Sequence, residues 1–232
     1  MTMNPQVSPA RLAALPAAAQ RWLARALPED AQLVTRVQVD QKGEMEIRGR
    51  WTPFTARGVY QAPPLSFTWQ ARLNMLPGVW ILAEDGHKDG QGWGGARLWG
   101  LIPMGKRSAP EVLRSQLVRN LAELVWTPAL ALADPALVWR AAGDNAFEIS
   151  AEQGGQPAVV RFDLDAQGDI VRAASPARPY DVPDGYAEAP WAYEFSDPRD
   201  FGGVRAPAQA AGAFEKPAGR WEYMHLHVTG VN

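Results

Sequence analysis

The sequence predicts a mainly β, α+β fold: a large curved antiparallel sheet, half-barrel or barrel, with an N-terminal helix and an internal helix covering its cavity. Three observations carry this expectation. Apolar and polar residues alternate with period two in about eleven separate runs along the chain. Those runs are separated by turns drawn from 21 glycines and 20 prolines, a pattern of consecutive antiparallel hairpins. Only the stretches 8–27 and 108–126 repeat with helical period. So many sequential strands do not stay flat in an open sheet, and curling or closure is expected. We read residues 1–232 as a single domain.

The N-terminal helix spans 8–27. Ser8 can cap it, with Pro9 in the first helical position, and Pro16 restarts it because the residue before a proline is pushed out of the α region. Leu12, Leu15, Ala19, Trp22, Leu23 and Ala26 form its apolar stripe, with Arg21 and Arg25 on the other side. Strands then fill 32–102. The cleanest run sets Leu65, Phe67, Trp69, Ala71, Leu73 and Met75 against Ser66, Thr68, Gln70, Arg72 and Asn74. Val79 to Leu82 and Ala96 to Ile102 are further strand candidates.

The second helix spans 108–126. Ser108 and Glu111 match a capping box, Val112, Leu113, Leu117, Leu121, Leu124 and Val125 form its apolar stripe, and Pro128 ends it. Strands resume over 136–230, interrupted by a Pro-rich loop at 175–190.

Composition removes several function classes. The formal charge is -2, which gives no bulk cation for nucleic-acid binding. There is no cysteine, so thiolate metal sites and cysteine nucleophiles are excluded. No Gly-x-Ser-x-Gly and no phosphate-binding Gly-x4-Gly-Lys loop occurs. The N-terminus lacks a basic start followed by an apolar run, and no stretch is long and apolar enough for a transmembrane helix, so a cytoplasmic location is expected.

Four groups of residues are candidates for chemistry. Ten tryptophans are many for this length: they either build a solid aromatic core or line an apolar cavity. Arg119 and Glu123 share a helix face four residues apart, with Trp126 three beyond, as a local ion pair or as a polar anchor or base at a cavity mouth. Asp85, His87 and Asp89 alternate, which on a strand would present an acid–base or metal-binding face; the surrounding Gly86, Gly90 and Gly92 read instead as a solvated turn. His225 and His227 share a strand face with Trp221 and Tyr223 and could supply two metal ligands, with His87, the one other histidine, or a carboxylate as the third that is needed; otherwise they form a polar sheet face. No metal and no cofactor is assigned.

The segment Arg119-Asn120-Leu121-Ala122-Glu123-Leu124-Val125-Trp126-Thr127-Pro128 resembles the helix motif of an uncharacterised bacterial family. Phe67 to Ala71, Asp85 to Gly92, and Arg178 followed by Trp191 and by Asp200 to Pro207 resemble its other motifs in order and spacing. Asn120 departs from that pattern, where an aromatic is more usual. The resemblance implies no activity. Its layout is similar to the lipoprotein-carrier type of curved sheet, closed by helices over an apolar cavity.

The resulting expectation is a soluble protein that binds a hydrophobic small molecule, lipid-like or polyketide-like. Trp69, Trp80, Trp99 and Trp126 would be walls, and Arg119 with Glu123 the polar anchor. The alternative is an enzyme acting in the same cavity with Asp85, His87 or Glu123 as acid–base groups.

Overall fold

The computed structural model describes residues 9–232; the Ser8 cap lies outside them. Pro16 splits the N-terminal helix as expected, into α1 (Pro9–Ala13) and α2 (Ala17–Ala26). Six strands follow in sequence: β1 (Arg36–Ile47), β2 (Arg50–Gln61), β3 (Ser66–Leu76), β4 (Val79–Lys88), β5 (Gln91–Leu98) and β6 (Ile102–Arg107). The chain then enters α3 (Pro110–Glu123), a 3-10 turn (Leu124–Trp126) and α4 (Pro128–Ala133). Seven more strands complete it: β7 (Val138–Gly143), β8 (Ala146–Gln153), β9 (Gln156–Leu164), β10 (Ile170–Val182), β11 (Gly185–Phe201), β12 (Val204–Lys216) and β13 (Gly219–Val231).

All thirteen strands among the described residues belong to one antiparallel sheet, in the order β6-β5-β4-β3-β2-β1-β13-β12-β11-β10-β9-β8-β7. Each half is a meander of hairpins, and pairing of β1 with β13 joins the halves. The sheet curls into a half-barrel with α3 over its concave face. β3 shows why the strands lie as they do: Phe67, Trp69, Ala71 and Leu73 are buried, while Gln70, Arg72 and Asn74 face water.

Helix α3 packs against β3, β4 and β5 of one half and β8, β9 and β10 of the other. Its burial is therefore nearly all round, and includes Gln116, Arg119, Asn120 and Glu123. Helix α2 seals the far half by stacking Trp22 on Phe147 and Phe162 at ring-centroid distances of 5.6 and 6.3 Å. Each such aromatic pair adds about 0.5–1.5 kcal/mol beyond its buried area. Arg25 and Arg205 both bond the Asp169 carboxylate in the β9–β10 turn, which holds it down to a pKa of about 2.

The two edge strands do not pair, yet the flanks meet. A Cβ on Gly154, in the β8–β9 turn, would collide with the carbonyl oxygen of Gly90, in the β4–β5 turn. Gly154 also has φ +55°, a conformation open to glycine without steric cost.

Several boundaries differ from the sequence expectation. Ala96 to Ile102 is not one strand: the chain turns at Trp99 and Gly100 between β5 and β6. Residues 175–190 are not a loop but the hairpin of β10 and β11, whose register shift between Ser175 and Arg178 accommodates Pro176. Ser108 does not cap α3; its hydroxyl donates to Gly92 O at 3.2 Å, and Ala109 occupies the cap position. The segment from Asp85 to Lys88 is the end of β4, not a solvated turn, and His87 is fully buried.

Candidate functional site

Around α3 the structure gathers the polar residues that the sequence set apart. Glu123, with no exposed surface, accepts hydrogen bonds from Tyr60 Oη at 2.6 Å, Arg119 Nε at 2.8 Å and Tyr193 Oη at 3.3 Å. Burial pushes both tyrosine hydroxyls well above their ordinary pKa, and the Glu123 charge pushes them further. The Arg119 guanidinium lies 4.4 Å above the ring centre of Trp69 and reaches Asp85 through Nη1 at 3.4 Å. Desolvation opposes its charge, but Glu123, Tyr193, Asp85 and Tyr60 together outweigh that and raise its pKa.

His87 anchors a second network, whose hydrogen positions follow from its partners. Gln153 Nε2 donates to Leu65 O at 2.6 Å, so Gln153 Oε1 faces His87 Nδ1, 3.2 Å away, as an acceptor. The proton is therefore on Nδ1, and Nε2 accepts from Asn120 Nδ2 at 2.9 Å. Burial lowers the His87 pKa to about 4, against a small opposing effect of the Gln153 bond. The ring is neutral and both nitrogens are occupied. Asn120 and Gln153 hold it between them.

A cleft of about 290 Å³ opens beside these networks, between α3 and the ends of β1, β4, β6 and β10 to β13. Its aromatic walls are Tyr180, Tyr186, Phe214, Trp221 and Tyr223. Two buried polar atoms on its lining have no partner: Arg119 Nη2 and Gln116 Oε1. Arg178 also lines it and is buried. Its partners are neutral: Ser115 Oγ at 3.1 Å, Tyr223 Oη at 3.2 Å and the face of Trp191 at 4.4 Å. Carboxylates line the same cleft: Asp85 faces Arg119, Asp181 bonds Arg107, Glu46 accepts from Gly49 N and Trp221 Nε1, and Glu111 on α3 has no ion pair among the described residues, but none of them pairs with Arg178.

The residues expected to bind ligand are dispersed around this site. Arg119 lines the cleft, and Glu123 is its buried counter-charge. Trp69 is a core residue under Arg119, its Nε1 donating to Gln41 Oε1 at 2.8 Å. Trp126 is buried against Phe195 and donates to Pro207 O at 2.9 Å; it borders a separate cleft of about 300 Å³ with Leu27, Phe201 and Val231. Trp80 is half-buried on β4 under Arg72, and Trp99 is exposed in the β5–β6 turn. The four tryptophans thus share no single cavity. Asp85 lines the α3 cleft, whereas His87 and Glu123 do not.

Sequence reasoning missed Gln116, Tyr180 and Phe214, and named Arg178 only within the family resemblance. The alternation of Trp221 and Tyr223 on β13 is visible in the sequence, but nothing local places the pair beside α3.

His225 and His227 border a larger depression of about 730 Å³ with Lys42 and Glu44. Both ring nitrogens of His225 face carboxylates, Glu44 at 3.0 Å and Glu222 at 2.6 Å. Partial burial opposes its protonation, but the two carboxylates outweigh that and raise its pKa. Among the described residues no cluster of three or more His, Asp or Glu side chains is arranged to hold a metal ion.

No curated protein matches the chain. Solved structures with similar folds include a domain assigned to outer membrane lipoprotein sorting from Vibrio parahaemolyticus. It is 11% identical, with 95% of this chain and 92% of that chain covered and a TM-score of 0.48. A LolA superfamily protein from Nitrosomonas europaea is 9% identical over 93% of this chain and 91% of its own, with a TM-score of 0.39. A DUF1329 family protein from Desulfovibrio piger is 11% identical over 99% and 93%, with a TM-score of 0.47. The expected cytoplasmic location is corrected here. It rested on the reading of the N-terminus alone, and the solved structures of similar fold include a domain named for outer membrane lipoprotein sorting and a LolA superfamily protein. No helix among the described residues is long and apolar enough to cross a membrane. The family of unknown function DUF6544 matches residues 5–226, and the chain belongs to that family.

Proposed function

We propose that the chain binds a small amphipathic molecule, an apolar body with an anionic head, in the cleft beside α3. One observation carries the reading. Arg178 is a buried guanidinium whose partners are all neutral, on the wall of an aromatic cleft also lined by Arg119, whose Nη2 is buried without a partner. A buried cation without a counter-charge is costly, and an anion entering the cleft would remove that cost. Phe214, Trp221 and Tyr223 would take the apolar body. The volume of about 290 Å³ suits the head and first part of a chain rather than a whole lipid. The finer identity of the ligand is left to its chemistry. The same reading treats 1–232 as one domain, supported by the continuous sheet across β1 and β13.

The catalytic alternative has less support. His87 and Glu123 are fully buried and engaged by two and three partners, so neither is free to exchange a proton with a bound substrate. Asp85, which does line the cleft, sits between the Arg119 and Arg107 guanidinium groups as their counter-charge rather than as a free base.

Decanoate and decyltrimethylammonium test the proposal, with titration followed by calorimetry. Decanoate is expected to bind and the cationic amphiphile not. Arg178→Met should weaken decanoate at least about tenfold, because it removes a charge-assisted contact. The same substitution should leave the unfolding midpoint unchanged or higher, since it deletes an uncompensated buried charge. Equal binding of the two amphiphiles, or unchanged decanoate affinity in the variant, overturns the proposal.

A further inference from the structure

The end of the sheet bearing the β1–β2, β3–β4 and β5–β6 turns carries a second kind of surface. These turns follow one another along one edge, because the six strands are sequential neighbours in the sheet. Large apolar side chains stand out of all three. Leu101 is 80% exposed, Leu76 59%, Met104 56% and Ile102 53%, and Trp51 and Trp99 are also exposed. The turns are tied together rather than loose. Trp99 N donates to Trp80 O and Trp99 Nε1 to Gly78 O, both at 2.9 Å, which locks the second turn to the third.

The charge around these knobs has one sign. Residues 47–53, 71–83 and 90–107 contain no aspartate or glutamate, but do contain Arg48, Arg50, Arg72, Arg97, Lys106 and Arg107. Glu46 accepts from Gly49 and Trp221, Glu84 pairs with Arg97 and Asp181 with Arg107, which leaves Arg48, Arg50, Arg72 and Lys106 as the cations without an acidic partner among the described residues. A second copy of this surface would face it with like charge, which disfavours self-pairing. Apolar knobs that include two indoles, ringed by cations, match the boundary of a bilayer with anionic head groups. Leucine and isoleucine enter the acyl margin, indoles sit at head-group level, and guanidinium groups meet phosphates.

We propose that these three hairpin tips dock the protein on an anionic lipid surface. The inference uses none of the cleft residues proposed to read the ligand's head, so it stands or falls separately from the cleft. The test is flotation of the full chain with vesicles of phosphatidylcholine plus phosphatidylglycerol, and with phosphatidylcholine alone. Binding is expected on the mixed vesicles, with release by high salt. The double variant Leu101→Asp, Ile102→Asp should lower the bound fraction about tenfold or more while unfolding in urea like the parent. Bromine-labelled lipid should quench tryptophan emission in the parent, and Trp99→Phe should remove much of that quenching. No binding to mixed vesicles, equal binding to phosphatidylcholine alone, or unchanged binding by the double variant overturns the proposal. Self-association abolished by the same double variant assigns the surface to a second copy and also overturns it. Quenching unaltered in Trp99→Phe likewise counts against the tip as the contact.

Discussion

Glu123→Gln should destabilise the protein by about 3–5 kcal/mol, read as a fall in the urea midpoint. That is the range for breaking a buried ion pair by deleting one partner. Its carboxylate has no exposed surface and neutralises Arg119, which is itself buried. The amide keeps the shape of the site and one acceptor oxygen, but its NH2 must face either Tyr60 or Arg119, so the loss combines the charge with a hydrogen bond. Arg119 would then have only Asp85, at 3.4 Å and partly open to water. A second variant gives the comparison its force. Arg119→Met with Glu123→Gln removes both charges and keeps an apolar chain over Trp69, and should recover most of the loss. A cost below about 1 kcal/mol for the single variant would mean that water reaches the pair and that it is not buried as described.

Acidification should act through His87. Its folded pKa of about 4 lies below the ordinary 6.5, so the native state holds it neutral while the unfolded chain takes up a proton. The stability this contributes is fully present above pH 6.5 and is lost as pH falls toward 4. The whole gap is worth about 3 kcal/mol, of which about 2 kcal/mol should be gone by pH 5. The cause is burial, reinforced by geometry: protonated Nε2 would point its N–H at the amide N–H of Asn120. Urea unfolding at pH 7 and pH 5 should show this fall in the parent, and a much smaller one in His87→Gln. His225 acts with the opposite sign, because its raised pKa favours the native state at low pH. Asp169 loses its contribution only below its ordinary 3.8, toward about 2. The comparison with His87→Gln therefore isolates one residue, and an identical fall in both proteins would contradict this account.

The strands were legible because a half-buried strand writes its two faces directly into the sequence. Every other residue of β3 from Phe67 to Leu73 is apolar and buried. Helix α3 was legible as a helix, but not as a helix packed on nearly all sides. Its polar positions looked like a solvated face, because nothing local reveals that both halves of the sheet enclose it. The glycines near His87 misled for a related reason. Gly86 and Gly92 read as turn formers, yet a Cβ there would run into Phe67 O and the Leu113 backbone respectively. They are glycines of close approach, a property of partners distant in sequence. The cleft was the least legible feature. Its walls come from β10, β12 and β13, and Arg178 gains meaning only when Trp191, on the neighbouring strand, slides under it.

The contact between Gly90 and Gly154 fixes the aperture of the whole trough. The flanks are spaced there by bare backbone, and the His87–Gln153–Leu65 chain fastens them one step away. Side-chain rearrangement alone could not part the flanks at this point, because the contact is made by main chain and the clasp itself would have to open.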